Sequence, residues 1–280
     1  MSPDLLYGLV LLAAVAHATW NALIKSASDR VLMMAAIRLV GMLLALAVLP
    51  FVPWPSHATW IWLALASITT FAYYGLLLQS YRIGDLSLVY PLARGSAPVL
   101  LALIAFVAID ERLAPAQIAA VTLITAGILA LVIGKSGHRM AVGFALATGV
   151  SIAAYSFLSG LGVRSSASVF GFQAWLEILT AAGMLTFAVV RRRGRILVFA
   201  RANWGVGLLA GVLSVGGYLA FLAAAKVLPL APISALRECS VIFGTIIGAV
   251  MLKEGFGVRR IAAASLVTCG VIALAASALH

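Results

Sequence analysis

Two ionisable residues stand side by side in a stretch of sequence that is otherwise apolar or small. Arg237 and Glu238 occur in the segment PISALRECSVIF, which is flanked on both sides by sequence typical of a lipid-soluble helix. An ionisable group at the centre of a bilayer costs about 2.5–3.5 kcal/mol on insertion scales and is by default a functional candidate. Further ionisable residues within apolar stretches are Arg38, Arg94 and Glu177. These five side chains are candidates for binding or gating a charged small molecule within a membrane.

The composition places the chain among membrane proteins. Of its 280 residues, 64% are hydrophobic and 10% are charged, whereas soluble domains average about 25% charged residues. A net charge of +11 would suggest nucleic acid as a partner of a soluble protein, but the basic residues lie mostly between apolar stretches. That is the pattern of loops at a membrane surface. The lipid bilayer is therefore the expected partner, and nucleic acid is excluded.

The hydropathy pattern predicts an all-α polytopic membrane protein with ten transmembrane helices. A helix that spans a bilayer needs roughly 20 predominantly apolar residues. The stretches that meet this length are 5–25, 31–50, 59–79, 86–109, 114–134, 140–161, 169–190, 204–227, 231–252 and 258–278. The connecting loops are short, so we expect no soluble catalytic domain and no enzyme activity.

The distribution of basic residues predicts how the chain is oriented. The odd-numbered loops hold thirteen lysines and arginines, whereas the even-numbered loops hold three. Because basic loops remain in the cytoplasm, the odd-numbered loops are expected on that side. Both termini are then periplasmic, and the chain is expected to be a multi-pass protein of a bacterial inner membrane.

Charged residues recur at equal spacing in the two halves of the chain. Arg94 is followed seventeen residues later by Glu111, and Arg237 is followed seventeen residues later by Glu254. In both cases the intervening segment is apolar, and the glutamate begins a short loop before another apolar stretch. The matched spacing indicates that the two halves are copies of one structural unit.

Five helices in each copy would place the two copies in opposite orientations. Residues 1–136 and 137–280 are thus expected to be two inverted five-helix repeats around a central cavity. A second alignment of the halves places Trp20 over Tyr155, in the first and sixth spans. Inverted repeats are typical of secondary transporters that bind their substrate near the middle of the membrane.

The glutamate that follows the fourth span in each half carries a family resemblance. The segments are IDERL at 109–113 and LKEGF at 252–256, each after a span rich in small residues. Together with the apolar spans, they resemble the EamA branch of the drug/metabolite transporter superfamily, and within it bacterial amino-acid exporters of the YddG type. The resemblance covers the whole chain. It implies a helical bundle around a central cavity that works by alternating access.

The depths of the ionisable residues suggest a direction of transport. At 1.5 Å of rise per residue, Arg38 and Arg94 fall in the cytoplasmic half of the membrane. The residues that fall in the outer half are Arg237, Glu238 and Glu177. If these side chains face the cavity, a carboxylate would be attracted from the cytoplasm and repelled on the outer side. This hypothesis predicts export.

Aromatic residues within the spans are candidates for binding an apolar side chain. Tyrosine and tryptophan combine a flat apolar surface with one polar group, and the repeat favours Trp20, Tyr90 and Tyr155 as residues that line the cavity. The other aromatic residues within spans are Tyr73, Tyr74, Trp175 and Tyr218, whereas Trp54, Trp60, Trp62 and Trp204 lie near predicted interfaces. Any single one of these aromatic residues could equally serve ordinary helix packing.

Proton coupling has three candidate residues. Glu177, Glu238 and His17 could each change charge in a working pH range if their surroundings shift the equilibrium. A lone buried histidine is more often a hydrogen-bonded packing residue, so packing is the competing interpretation of His17. The four histidines and two cysteines lie far apart in the sequence, so no metal and no other cofactor is expected.

The sequence favours a monomeric secondary transporter that exports small metabolites. Amino acids, including aromatic and other apolar ones, are the first candidate substrates, and sugar phosphates or nucleotide sugars are the alternative with the same fold. An intramembrane enzyme or a sensor subunit is the alternative of another class. An enzyme would need a cluster of catalytic groups at one depth, and a sensor would need a partner domain or a tail.

Overall fold

The chain folds as a bundle of long helices. The computed structural model describes residues 3–109, 114–132, 139–193, 195–228, 230–237, 240–241, 243–244, 247 and 258–276. The helices within these residues are α1 (Pro3–Ser26), α2 (Arg30–Val48), α3 (His57–Ile83), α4 (Leu86–Ile109), α5 (Pro115–Val132), α6 (Arg139–Ser165), α7 (Val169–Arg192), α8 (Arg195–Ala225), α9 (Leu230–Arg237) and α10 (Val258–Ala276). The described part of the chain contains no strand.

Seven of the described helices are long and apolar enough to cross a membrane. They are α1, α2, α3, α4, α6, α7 and α8. The ends of α5, α9 and α10 adjoin residues outside the described part of the chain. The expectation of ten transmembrane helices therefore stays a prediction, while the all-helical class is confirmed.

The eighth span begins earlier than its hydropathy indicated. The sequence predicts a helix over 204–227, but α8 begins at Arg195. Asn203 interrupts it with φ −123° and ψ 19°, values outside the helical region. The predicted start thus coincides with a kink at Asn203, which separates a short first segment from the apolar span. Hydropathy detects only the apolar stretch and therefore misses the polar first segment.

Helices of the two halves interleave in the bundle. The main packing partners are α1 with α8, α2 with α7, α5 with α10, and α6 with both α3 and α4. Large apolar side chains cover the outer surface, as at Leu12 (68% exposed) and Val107 (82% exposed). The interior instead holds arginine and glutamate side chains that are nearly fully buried. This arrangement suits a protein that is surrounded by lipid and has a polar centre.

Basic side chains from neighbouring helices donate hydrogen bonds to the carbonyl groups at the ends of α3 and α8. Lys25 donates to the carbonyl oxygens of Tyr81 (3.0 Å) and Gly84 (2.6 Å) at the end of α3. Arg164 donates to Ala225 (3.0 Å) and Leu228 (2.8 Å) at the end of α8. The last carbonyls of a helix have no partner within it, and cations also stabilise its negative end. In each half, a basic residue near the end of the first helix therefore binds the end of the third helix. Lys25 of α1 binds α3, and Arg164 of α6 binds α8.

The helix pair α2 and α7 is joined at one end by an ion pair. Asp29 caps α2 by accepting from the amides of Val31 (3.1 Å) and Leu32 (3.2 Å). Its second carboxylate oxygen lies 2.7 Å from Nε of Arg192 in the last turn of α7. Ser168 caps the start of α7 by accepting from the Gly171 amide at 3.1 Å. The N-cap residue of α2 is thereby tied to the last turn of α7.

A tryptophan cluster lies at the opposite end of this helix pair. The ring centroids of Trp54 and Trp60 both lie 4.9 Å from that of Trp175, which is near the start of α7. Trp175 lies within its predicted span and packs with the two tryptophans assigned to the interface, since α7 begins only six residues before it.

Helices α5 and α10 approach each other closely at two glycines. A Cβ added at Gly127 would lie 2.8 Å from the backbone nitrogen of Val267, and one added at Gly270 would lie 2.8 Å from that of Ile124. Contacts of this kind require small residues, which let backbones approach. A larger residue would have to displace backbone atoms of the partner helix.

We expect Gly127→Ala to destabilise the protein by about 1–3 kcal/mol, the usual cost of overpacking. The thermal unfolding midpoint of the purified protein in detergent would measure the loss. Gly143→Ala is the matched control, because a Cβ at Gly143 meets no atom within 4 Å. Equal midpoints for the two variants would contradict the close approach of α5 and α10.

Candidate functional site

A cavity lies at the centre of the bundle. Six helices surround it: α1, α2, α3, α6, α7 and α8. Its lining consists of His17, Trp20, Arg38, Thr70, Tyr73, Tyr74, Tyr155, Leu176, Glu177, Thr180, Ser214 and Tyr218. Five of these twelve residues are tyrosine or tryptophan, and two carry opposite charges. The cavity therefore combines an apolar aromatic surface with a charged pair.

The charged pair joins the two halves of the chain. Nη1 of Arg38 on α2 lies 3.0 Å from Oε2 of Glu177 on α7, and both side chains are about 95% buried. The same guanidinium donates to the Tyr74 hydroxyl at 2.9 Å and to the Ser214 hydroxyl. The second carboxylate oxygen of Glu177 accepts from the Gln173 amide at 2.9 Å. Neutral hydrogen-bond partners thus surround a buried ion pair, as its desolvation cost requires.

The pairing corrects the expected asymmetry of charge across the membrane. The sequence placed Arg38 in the cytoplasmic half and Glu177 in the outer half, but the two side chains are in direct contact. Each residue lies eight positions from the start of its helix, which is roughly 12 Å. Both α-carbons are thus close to the middle, and the long arginine side chain bridges the remaining distance. The argument for export from opposite charges at opposite depths is wrong for this pair.

The aromatic side of the cavity is a continuous series of rings. Tyr73 lies 5.5 Å from Tyr74 and 5.2 Å from Tyr155, and Tyr155 lies 6.0 Å from Tyr218, measured between ring centroids. The Arg38 guanidinium carbon lies 5.2 Å from the centroid of Tyr74. We call Tyr73, Tyr74, Tyr155 and Tyr218 the aromatic wall. It offers an apolar group a broad surface that begins beside the ion pair.

Arg237 stands behind the aromatic wall. Its guanidinium donates to Ser156 at 2.9 Å and lies 4.3 Å from the ring centroid of Phe221 and 6.0 Å from that of Tyr155. The side chain is 1% exposed and is not among the residues that line the central cavity. Arg237 therefore supports a wall residue from behind, and the prediction that it binds substrate stays untested.

His17 and Trp20 form a separate part of the lining on α1. Their rings meet edge to face with centroids 4.9 Å apart. His17 lies within electrostatic reach of three guanidinium groups, those of Arg38, Arg94 and Arg237. Among the described residues, its Nε2 has no hydrogen-bond partner. The imidazole therefore offers a buried polar atom to a ligand in the cavity.

Two other candidate residues, Arg94 and Tyr90, do not line the cavity, and a third lies outside the described residues. Arg94 is 2% exposed and does not line it. Tyr90 is likewise buried, and a Cβ added at Gly244 would lie 2.6 Å from its ring, so this tyrosine packs against the chain near Gly244. Glu238 lies outside the described residues. Glu111 and Glu254, which carried part of the family resemblance, also lie outside them.

Comparison with known proteins identifies the family. The chain matches the EamA-like transporter family over residues 5–133 and again over residues 139–276. The chain belongs to the EamA-like transporter family. The fold is also similar to that of a protein solved by crystallography, with a TM-score of 0.70 and 16% sequence identity over 99% of this chain and 98% of that one. No curated protein matches this chain.

Family membership agrees with the physical character of the chain. Proteins of the EamA-like family are membrane transporters of small molecules, and this chain has the spans of a multi-pass membrane protein. The central cavity of this EamA-like protein lies among helices of both matched segments. It is therefore the natural candidate for the transport site.

Four polar residues of the site escaped the sequence analysis. Thr70, Thr180 and Ser214 line the central cavity, and Gln173 binds the carboxylate of Glu177. Gln173 had a usable signal, since it stands one helical turn before Glu177 in FQAWLEI. Nothing in the sequence singles out the two threonines and the serine, because single hydroxyl residues are common in membrane helices.

Proposed function

We propose that this EamA-like transporter exports amino acids by alternating access. The observation that carries the proposal is the buried Arg38–Glu177 pair, which faces a cavity lined by aromatic rings. An α-amino acid carries one carboxylate and one ammonium group on the same carbon atom. A site that presents one guanidinium and one carboxylate is complementary to that zwitterion.

The zwitterion can bind without leaving an unpaired charge in the site. Its carboxylate can accept from the Arg38 guanidinium in a bidentate manner, while its ammonium donates to Glu177. Removing one member of a buried ion pair strands the other at a cost of several kcal/mol, and a net-neutral ligand avoids this cost. A singly charged ligand would leave either Arg38 or Glu177 without a counter-charge.

The aromatic wall supports substrates with apolar side chains. Aromatic rings stack or meet edge to face with centroids 4.5–7 Å apart, and the spacing of the wall residues falls within that range. An aromatic or aliphatic side chain can extend from the charged pair along this surface. The resemblance to amino-acid exporters of the YddG type agrees with this substrate class.

The spacing of paired positions supports an inverted repeat. Arg38 and Glu177 are 139 positions apart, and the same spacing separates Asp29 from Ser168, the residues that cap α2 and α7. Two equivalent positions can touch only near the axis that relates the halves. In an inverted repeat that axis lies in the membrane plane, where secondary transporters bind their substrates. We therefore propose two inverted five-helix repeats, 1–136 and 137–280.

The proposed setting is the inner membrane of a bacterium. Most lysines and arginines of the loops lie in the odd-numbered loops. Because basic loops remain in the cytoplasm, both termini are then in the periplasm. A single chain holds both repeats, so a monomer is sufficient. Glu177 and His17 line the central cavity, which keeps both available as sites for coupled protons.

Counterflow in proteoliposomes tests the function. Unlabelled amino acid is loaded inside, labelled amino acid is added outside, and labelled uptake is compared with and without the preload. We expect uptake to depend on the preload and to fall at least fivefold in Arg237→Gln, since this variant removes the cation that supports Phe221 and Tyr155, a contact worth about 1–2 kcal/mol. Arg82→Gln, at an exposed arginine at the end of α3, is the matched control.

Two results would count against the proposal. Exchange of a sugar phosphate in place of any amino acid would assign the same cavity to phosphorylated metabolites. Preload-independent uptake of every amino acid would remove exchange as the activity of the site.

A further inference from the structure

A strongly basic stretch connects α7 to α8. We call residues 187–204 the basic corner; they contain five arginines and no acidic residue. One of the five, Arg192, is paired with Asp29 of α2 at 2.7 Å. Among the residues that the structure describes, the other four have no carboxylate at ion-pair distance, and all four are exposed. They are Arg191, Arg193, Arg195 and Arg201. The corner therefore presents an excess of positive charge at the surface.

The first segment of α8 has an inner face and an outer face. Ile196 and Phe199 pack against the core of the bundle. Leu197 and Val198 are each 71% exposed, and Arg201 is exposed as well. Because successive residues of a helix are about 100° apart, Arg201 falls between Leu197 and Val198 on the outer face. This face therefore places a guanidinium group among exposed apolar side chains.

The end of α7 repeats this combination. The guanidinium carbon of Arg191 lies 5.8 Å from the ring centroid of Phe187. Phe187 is 37% exposed, and the neighbouring Val190 is 65% exposed. Arginines near the ends of membrane helices keep their apolar stems in hydrocarbon and their charged groups at the headgroups. Trp204, which is 71% exposed, is also of a residue type that prefers this level.

We propose that the basic corner is a binding site for an anionic phospholipid. Guanidinium groups bind phosphate oxygens in a bidentate manner, and the exposed apolar side chains match the acyl chains of the same molecule. Clusters of about four to eight basic residues beside a membrane helix attract anionic lipids. A soluble acidic partner would match the charge but would leave Leu197, Val198 and Phe187 without apolar contacts.

The test compares two lipids with the same acyl chains. Dioctanoyl phosphatidylglycerol or dioctanoyl phosphatidylcholine is added to the purified full-length protein in an uncharged detergent, and the thermal unfolding midpoint is recorded. A ligand that binds the folded state raises the midpoint with its concentration, so a titration gives an apparent affinity. We expect the anionic phosphatidylglycerol to raise the midpoint and the zwitterionic phosphatidylcholine to leave it nearly unchanged.

Two double variants separate a site from general surface charge. Arg191→Gln/Arg201→Gln should weaken the binding of phosphatidylglycerol about 25-fold, since each basic residue at an anionic surface contributes about fivefold. Arg82→Gln/Arg139→Gln is the matched control, because it removes the same charge from exposed arginines at the ends of two other helices. The control should bind phosphatidylglycerol like the wild type.

The apolar part of the site has its own test. Leu197→Gln keeps all five arginines and removes one apolar contact, so it should weaken the binding of phosphatidylglycerol about fivefold or more, the effect of burying one large apolar side chain. Inorganic phosphate, which has no acyl chain, should leave the midpoint of the wild type unchanged at the same concentrations.

Three results would overturn the inference. They are equal effects of the two lipids on the wild type, equal losses in the two double variants, and a rise of the midpoint with inorganic phosphate as large as that with phosphatidylglycerol. The last result would assign the arginines to a soluble anion. None of these measurements uses counterflow, so the inference can fail while the proposed transport function holds, and the reverse.

Discussion

Glu177→Leu is expected to abolish counterflow and to lower the free energy of unfolding by about 3–5 kcal/mol, the cost of removing one partner from a buried ion pair. The Arg38 guanidinium would remain at the centre of the bundle with two hydroxyl partners, those of Tyr74 and Ser214, and without its carboxylate. The thermal unfolding midpoint in detergent and the initial rate of counterflow measure the two effects.

The double variant Arg38→Met/Glu177→Leu distinguishes stability from function. Replacing both members of a buried pair by apolar residues of similar volume is often neutral or stabilising, so the unfolding midpoint should recover most of its loss. Counterflow should remain absent, because neither pole of a zwitterion has a partner. A double variant that exchanges amino acids would show that the pair is structural only. Unchanged stability in the single variant would show that the pair is not buried as described.

Gly41→Ala is expected to reduce the counterflow rate about 10-fold or more. It should lower the free energy of unfolding by about 1–3 kcal/mol, which is less than the loss expected for Glu177→Leu. A Cβ at this position would overlap Oε2 of Glu177, and it would also lie 3.3 Å from Cγ2 of Val215. The added methyl group therefore has no free space on either side. The carboxylate must move, and the oxygen that must move is the one bound to Arg38.

Gly75→Ala is the control for this variant. Gly75 also lies in a membrane-spanning helix, and a Cβ there meets no atom within 4 Å. The control should keep wild-type counterflow and a wild-type unfolding midpoint. If Gly41→Ala transports like the control, the carboxylate of Glu177 tolerates displacement, and the geometry of the pair does not limit transport.

The general class of the fold could be predicted from the sequence because it depends on local properties. Length and hydropathy define α2 to within two residues at each end. Helix ends were less accurate where polar residues continue a helix past its apolar part. The helix α6 runs to Ser165 although the predicted span ends at 161, and α8 begins well before the kink at Asn203.

The site was predictable as a set of residue types and less so as an arrangement. A buried ionisable residue is conspicuous in an apolar stretch, so Arg38 and Glu177 were both identified. Their pairing was missed because the depths estimated from the sequence are those of the backbone positions. A long side chain such as that of Arg38 can bridge a difference in depth. The equal spacing of Asp29 with Ser168 and Arg38 with Glu177 was present in the sequence, but it becomes meaningful only once the caps and the ion pair are seen.

The roles of individual aromatic residues could not be read from the sequence. Trp175 and Tyr155 both fall in apolar stretches, yet one packs with the surface tryptophans and the other lines the central cavity. The difference depends on which neighbouring helix each ring faces. That orientation follows from the packing of α3, α6, α7 and α8 as a whole.

The ion pair between the halves also constrains how the protein is made. Arg38 leaves the ribosome 139 residues before Glu177, and at about 5–20 residues per second this interval is on the order of 10 s. During that time the guanidinium has the Tyr74 hydroxyl but no carboxylate, and an unpaired arginine costs about 2.5–3.5 kcal/mol in the membrane. We therefore expect the nascent first half to be recognised by membrane quality control. Synthesised without the second half, it should be degraded unless the missing half is supplied in the same cell.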